Sequence, residues 1–234
     1  MIRNSILLCT FNESKYIKDT IINLEKHVTD LEIIIVDDNS TDETVSIIKQ
    51  IKTNCRLKLI SRKKTQGLGS AFQRAIIEST GENIGWIDTN MGELAEKFPI
   101  MINELKENDI IILSRYITNG SDNRVFIRVF CSKLINLFCR LMLSNKIKDY
   151  TSSIFIMNRR VLNETRLLGY GHGDFFIEFL YSAVKKDFRI KEIPYNQKAD
   201  EEEGNTKTSP NLIKFFLLGF FYCLRVLITR FRRN

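Results

Sequence analysis

Apolar residues along the 234-residue chain come in unbroken blocks more often than in alternation. Runs of strand length recur in SILLCTF (5–11), LEIIIVDD (31–38), RLKLISR (56–62), ENIGWID (82–88) and DIIILSRY (109–116), and each stops at polar residues. A run without alternation predicts a strand covered on both faces. Between these runs the apolar positions return at helical spacing: up to about His27, then over 41–52, 67–80 and 94–107. Thr41, Glu43 and Thr44 form a helix-start pattern, and Gly67-Leu68-Gly69 reads as a tight strand-to-helix turn. Strands that alternate with helices predict an α/β fold with a mostly parallel sheet flanked by helices. Ligands on such sheets bind at the carboxyl ends of the strands. Those ends carry Phe11-Asn12-Glu13, Asp37-Asp38, Asp88 and Ser114-Arg115.

After Arg124 the pattern changes. Residues 124–146 are apolar at helical spacing but interrupted by Arg128, Lys133 and Arg140, which predicts a cationic amphipathic helix. A strand leading into a helix (149–162), a further helix (173–187), an alternating strand (188–197) and a charged loop (198–210) follow. The last segment, 211–234, has an uncharged run from Phe215 to Leu224, about half the ~20 residues of a membrane span. It is expected to lie in a membrane interface, with Arg230, Arg232 and Arg233 on anionic headgroups. The alternatives are a marginal span with Lys214 and Arg225 snorkelling, and a terminal helix packed on the core. The domain expectation is a catalytic domain over 1–210 and an amphipathic helix over 211–234.

Composition adds a sign and a compartment. The net charge of +7 suggests an anionic partner, and without any nucleic-acid-binding motif the basic tail points to a membrane surface rather than nucleic acid. Five cysteines without metal-ligand spacing predict reduced core thiols and a cytosolic setting.

The stretch WIDTNMGEL (86–94) carries the sharpest question, because a buried run ends in Asp88 and Asn90 follows two residues on. Paired carboxylates at that spacing would clamp a divalent cation; here the second position is an amide, which ligates without charge. In order along the chain, CTFNE, IIIVDDNSTDET, GLGSAFQRAI, LSRY, DYTSSIFIMNRRVL and GNTK resemble family-2 glycosyltransferases of GT-A fold. Within that family they are most similar to the dolichyl-phosphate mannosyltransferase and polyprenyl-phosphate glycosyltransferase group. The resemblance implies nucleotide-sugar binding by Cys9, Phe11, Glu13, Val36, Asp38, Asp88, Thr89, Asn90, Arg115 and Lys207. It implies Mg²⁺ or Mn²⁺ at Asp88 and the altered Asn90, with Glu96 and Pro99 in register beyond them and Glu93 a substitute charge. Catalytic roles fall to Asp88, Arg115 and Arg128, and the acceptor side to Arg128, Glu178 and Asp174, the last a general base if the acceptor is a hydroxyl. The late phosphate loop keeps Gly204 and Lys207 but has Glu201 where the family has arginine, with Lys198 as possible compensation. His172 is assigned no role.

The expected function is inverting transfer of a hexose from a nucleotide sugar to a polyprenyl or dolichyl phosphate, by a peripheral protein on the cytoplasmic face of a membrane. One alternative is transfer to a polysaccharide or glycolipid hydroxyl. Another, from a different class, is a silent nucleotide-sugar-binding protein.

Overall fold

The computed structural model describes residues 2–165, 171, 173–199 and 212–232. Five strands and four helices come first: β1 (Asn4–Thr10), α1 (Ile17–His27), β2 (Leu31–Asp37), α2 (Thr44–Gln50), β3 (Arg56–Ser61), α3 (Leu68–Glu78), β4 (Asn83–Trp86), α4 (Phe98–Glu104) and β5 (Ile110–Ser114). A 3-10 helix over Thr89–Lys97 joins β4 to α4. The second half holds β6 (Ser121–Asp122), α5 (Phe126–Met142), β7 (Phe155–Asn158), α6 (Val161–Glu164), α7 (Phe175–Lys185), β8 (Ile190–Pro194), β9 (Asn196–Gln197) and α8 (Leu212–Phe231).

Seven strands form one sheet in the order β3-β2-β1-β4-β7-β5-β8, and β6 pairs with β9 separately. All neighbours in the large sheet are parallel except those of β7, which runs antiparallel to β4 and β5. Every residue of β2 is buried because helices cover both faces, whereas β3, at the edge, is only half-buried. Alternate side chains feed two cores. Leu7, Ile34, Trp86, Phe155 and Phe175 pack on one face; Ile6, Ile33, Ile35, Phe98 and Ile111 pack on the other. On the first face Trp86, Phe72 and Phe175 stack on one another as a three-ring cluster, with Trp86 4.4 Å from Phe72 and 5.7 Å from Phe175. Each such buried ring stabilises the fold by about 1.5–3 kcal/mol.

Four local expectations are revised. The segment 94–107 is a 3-10 helix followed by a short α-helix, not one helix. α2 begins at Thr44, and its capping carboxylate is that of Asp42, which accepts the Thr44 N–H at 3.0 Å. The strand within 149–162 is confined to Phe155–Asn158, because Asp149 and Thr151 are used in side-chain hydrogen bonds. The strand of 188–197 divides at Tyr195 into β8 and β9.

α5 and α8 pack against each other with an inverted pattern. α5 buries Arg128, Asn136 and Cys139, while Phe126, Phe130, Leu134 and Leu141 face outward. α8 buries Arg225, Val226 and Thr229 and exposes Leu217, Phe220, Phe221, Ile228 and Phe231. Together they present a broad apolar surface of the kind that marks an interaction site. Among the described residues no helix is long and apolar enough to cross a membrane.

Candidate functional site

The strand order reverses at β1, where β4 starts the second half of the sheet, and a crevice opens there at the carboxyl ends. It is a cavity of about 950 Å³. Cys9, Phe11, Glu13, Asp38, Asp88, Thr89, Asn90, Arg115 and Arg128 of the expected set line it.

The β1 end is shaped by short polar side chains. Asn12, in the left-handed region at φ 56°, accepts the Thr41 N–H at 2.8 Å, and the Ser40 hydroxyl accepts the Asn12 N–H at 2.9 Å. The Thr44 hydroxyl accepts the Glu13 N–H at 2.8 Å. Stapled this way, the loop turns Phe11 outward, 43% exposed. Asp37 accepts hydrogen bonds from the Thr10 hydroxyl and the Ser40 N–H, so it is the turn-forming member of the Asp37-Asp38 pair. Asp38 accepts the Gln66 and Gly67 N–H groups at 2.9 and 2.8 Å and pairs with Arg62 at 2.5 Å. Its carboxylate thereby fixes the 65–67 turn, which the positive φ of Gly67 allows.

Asp88 stands just past β4 as the residue that starts the 3-10 helix. That helix is pinned to α1: the Thr20 hydroxyl donates to the Thr89 carbonyl at 2.6 Å. A Cβ at Gly92 would lie 2.3 Å from the Thr20 hydroxyl, so only glycine permits the contact. Burial pushes the Asp88 carboxyl above its ordinary pKa, and a Ser153 hydrogen bond opposes this only partly. Burial and the neighbouring Asp88 likewise push the Cys9 thiol well up, so it stays protonated. Asn90 is exposed beside Asp88. The Thr89 hydroxyl is buried without a hydrogen-bond partner among the described residues.

Arginines gather on the other side of the cavity. Arg115 is buried, and its fork grips Asp149 through Nε and Nη2, both at 2.8 Å, with Thr151 accepting a further Nη2 bond at 2.8 Å. Nη1 is 3.6 Å from Asp122, too far for a hydrogen bond. Arg115 was expected to hold a phosphate with its bidentate fork; that fork belongs to Asp149 instead. Arg124, which sequence reasoning missed, grips Asp122 at 2.8 and 2.7 Å and also lines the cavity. Its proximity in sequence to Asp122, in SDNR, was the available signal. Burial alone would raise the Asp122 pKa, but Arg124, Tyr116 and Arg115 outweigh it and hold the carboxyl at about 2. Arg128, on the inner face of α5, is 8% exposed and lines the same wall.

Several expected residues are elsewhere. The Val36 side chain is fully buried in the core and does not reach the cavity. Asp174 and Glu178 do not line it either, because both are buried against α8: Arg225 donates to Asp174 at 2.8 Å and to Glu178 at 3.3 Å, and Arg232 also donates to Glu178. Arg225 therefore does not snorkel, and Arg232 is turned inward from the expected headgroup position. Glu93, the suggested substitute charge, pairs at 3.2 Å with Lys198, the suggested compensating lysine, across the cavity mouth. His172, Glu201, Gly204, Thr206, Lys207 and Arg233 lie outside the described residues. α8 itself supplies Leu218, Gly219 and Tyr222 to the cavity, a contribution the sequence reading did not foresee.

Among the described residues no three His, Cys, Asp or Glu side chains cluster as a cation site. The desolvated Asp88 carboxylate, with Asn90 beside it, still suits a cation whose other ligands come from a bound diphosphate.

The profile described as Glycosyl transferase family 2 matches residues 5–166. Dolichol-phosphate mannosyltransferase of Pyrococcus furiosus is 28% identical over 197 residues, which cover 82% of this chain and 55% of that protein. Dodecaprenyl-phosphate galacturonate synthase of Rhizobium johnstonii is 26% identical over 196 residues, covering 81% and 57%. The chain thus spans a little over half the length of these curated relatives. The crystal structure of glucosyl-3-phosphoglycerate synthase from Mycobacterium tuberculosis with Mn²⁺, UDP and glucosyl-3-phosphoglycerate matches with a TM-score of 0.73 at 17% identity. That match covers 99% of this chain and 81% of the other, and it is a likeness of fold.

Proposed function

The chain belongs to glycosyl transferase family 2, and from that premise we propose that it moves a hexose from a nucleotide sugar to a polyprenyl or dolichyl phosphate, with inversion, at a membrane surface. One observation carries this reading: a half-buried strand-end carboxylate, Asp88, shares a cavity with Arg128 and with two further arginines, Arg115 and Arg124, that Asp149 and Asp122 hold on its wall. A sugar nucleotide and a lipid phosphate are both anions, and such a cavity has the charges to hold them together.

In this reading Phe11 offers its ring face to the nucleobase and Glu13 accepts hydrogen bonds from base or ribose. Asp38 acts through the 65–67 turn it fixes. The Thr89 hydroxyl, buried without a partner among the described residues, would hydrogen-bond the sugar. Asp88 and Asn90 would hold Mg²⁺ or Mn²⁺, which when bound supplies positive charge beside the departing diphosphate. Arg128 holds the acceptor phosphate, a contact contributing roughly 1.5–3 kcal/mol, while Arg124, gripped by Asp122, acts like Arg115 as part of the wall. One acceptor phosphate oxygen attacks the anomeric carbon; the bond to the diphosphate breaks and the nucleoside diphosphate leaves with its electron pair. The acceptor is already ionised, so no general base is required. The hydroxyl-acceptor alternative has less support, because Asp174, its expected base, is committed to Arg225. The outward apolar faces of α5 and α8 would rest in the bilayer interface on its cytoplasmic side, with Lys133 and Arg230 exposed towards anionic headgroups.

The test is transfer of label from GDP-mannose, UDP-glucose and related donors to a polyprenyl phosphate in vesicles, with Mn²⁺ or with EDTA. The reading expects a lipid-linked product from one donor that EDTA abolishes. Product with EDTA present would remove the metal from the reading, and no product with any donor would overturn it.

A further inference from the structure

α8 is apolar for most of its length, yet Arg225 lies in its middle and is only 7% exposed. A buried guanidinium is tolerable only when ion-paired and hydrogen-bonded. Asp174 and Glu178, at the start of α7, meet that need, and Arg232 adds a second contact to Glu178. This cluster fixes the rotation of α8, since one residue of slippage would swing Arg225 about 100° away. In the fixed register Tyr222, three residues before Arg225, shares its inward face. Tyr222 lines the cavity with Leu218 and Gly219, opposite Arg128, Ser132 and Ile135 of α5. Its hydroxyl occupies space that Gly173 leaves open, for a Cβ there would lie 2.7 Å from the Tyr222 oxygen. Gly173 has φ 100°, so both its backbone and the room beside it favour glycine.

We propose that Tyr222 is an acceptor-contacting residue whose hydroxyl donates a hydrogen bond to the acceptor phosphate, and that Arg225 is the positioning residue that seats it. The inference rests on the reading of the acceptor as a polyprenyl phosphate. The acidic pair expected to act on the acceptor then does so indirectly, by holding the helix that bears Tyr222. Burial, with Asp174 and Asp88 nearby, raises the phenol pKa, so the group remains a proton donor across the working pH range. Apolar Leu218 and Ile135 in the same cavity suit the first prenyl unit, while Arg128 suits the phosphate.

Farnesyl phosphate, inorganic phosphate and the donor's nucleoside diphosphate would be titrated calorimetrically into the full chain. The emission of Trp86, the sole tryptophan, which lines the cavity, gives an optical readout. Tyr222→Phe is expected to weaken farnesyl phosphate and inorganic phosphate by the same factor, about tenfold, and to leave the nucleotide unchanged. Arg225→Met should reproduce that selective loss and Arg225→Lys should recover part of it. If Arg225→Met does not fold, the other two variants still decide. Wild-type affinity for farnesyl phosphate in Tyr222→Phe, or equal losses for acceptor and nucleotide, would overturn the role of Tyr222 alone. A wild-type chain that binds no farnesyl phosphate would overturn the acceptor reading and the Tyr222 role with it.

Discussion

Asp88 lines the cavity and is half-buried, whereas Asp149 lies fully buried behind the cavity-lining Arg115, and their surroundings differ. Asp149 is gripped by the Arg115 fork at two 2.8 Å contacts, and Arg115 in turn stands beside Asp122 and Arg124. Asp88 has a single serine hydroxyl to offset its burial, and its pKa rises accordingly. A compensated buried acid holds a wall in place. One left under-compensated and facing a cavity stores an attraction for a cation that arrives with the ligand. The Arg115–Asp149 and Arg124–Asp122 pairs fit a scaffold, and the β4 end fits the receptor of the proposed reading.

Removing a scaffold acid should have the largest effect. Asp149→Ala strands Arg115 in a buried site and is expected to cost about 3–5 kcal/mol, seen as a lower urea midpoint. A midpoint within error of wild type would erase the distinction between the two sides. Asp88→Asn should do the reverse: sugar transfer falls by about two to three orders of magnitude, while the thermal midpoint of the ligand-free protein stays level or rises. The sign follows from the raised pKa. Ionised Asp88 opposes folding at pH above that pKa, and the penalty is relieved as pH falls through it. A variant that unfolds would place Asp88 with the scaffold.

Asp122 titrates in the opposite sense. Its folded pKa, about 2, lies below the ordinary value, so its contribution is present above about pH 4 and is lost as pH falls towards 2. About 2 kcal/mol of stability should disappear over that window in wild type but not in Asp122→Asn, as measured by urea unfolding at stepped pH. The smallest change sharpens the receptor side: Asn90→Asp adds one charge beside Asp88 and should tighten Mn²⁺ binding by about tenfold in a calorimetric titration. Unchanged affinity would detach Asn90 from any metal role.

Much of the first half of the fold was legible. Unbroken apolar runs gave the five strands because a strand covered on both faces has no polar side to show. Their polar ends gave Phe11, Asp38 and Asp88, since a parallel sheet delivers those ends to one edge. The 3-10 segment was not legible, because its course depends on how closely Gly92 approaches Thr20, residues far apart in sequence. In the second half Arg128 lines the cavity as expected, but Asp174 and Glu178 are turned away from it towards Arg225. The helical spacing of α5 and α8 was visible, but periodicity does not say which face turns inward, and here the faces bearing Arg128 and Arg225 do.

By itself, then, the sequence determined the order of elements, the mostly parallel sheet and the chemistry gathered at the ends of β1, β2 and β4. Those features follow from local patterning and the chirality of strand-helix-strand connections. Tertiary structure decided which charges cancel. Arg115 was assigned to Asp149, Arg225 to Asp174 and Glu178, and Glu93 to Lys198, while Asp88 was left under-compensated. Such pairings depend on distances of a few ångströms between residues tens of positions apart, and burial makes each of them count; neither quantity is written in the order of the residues.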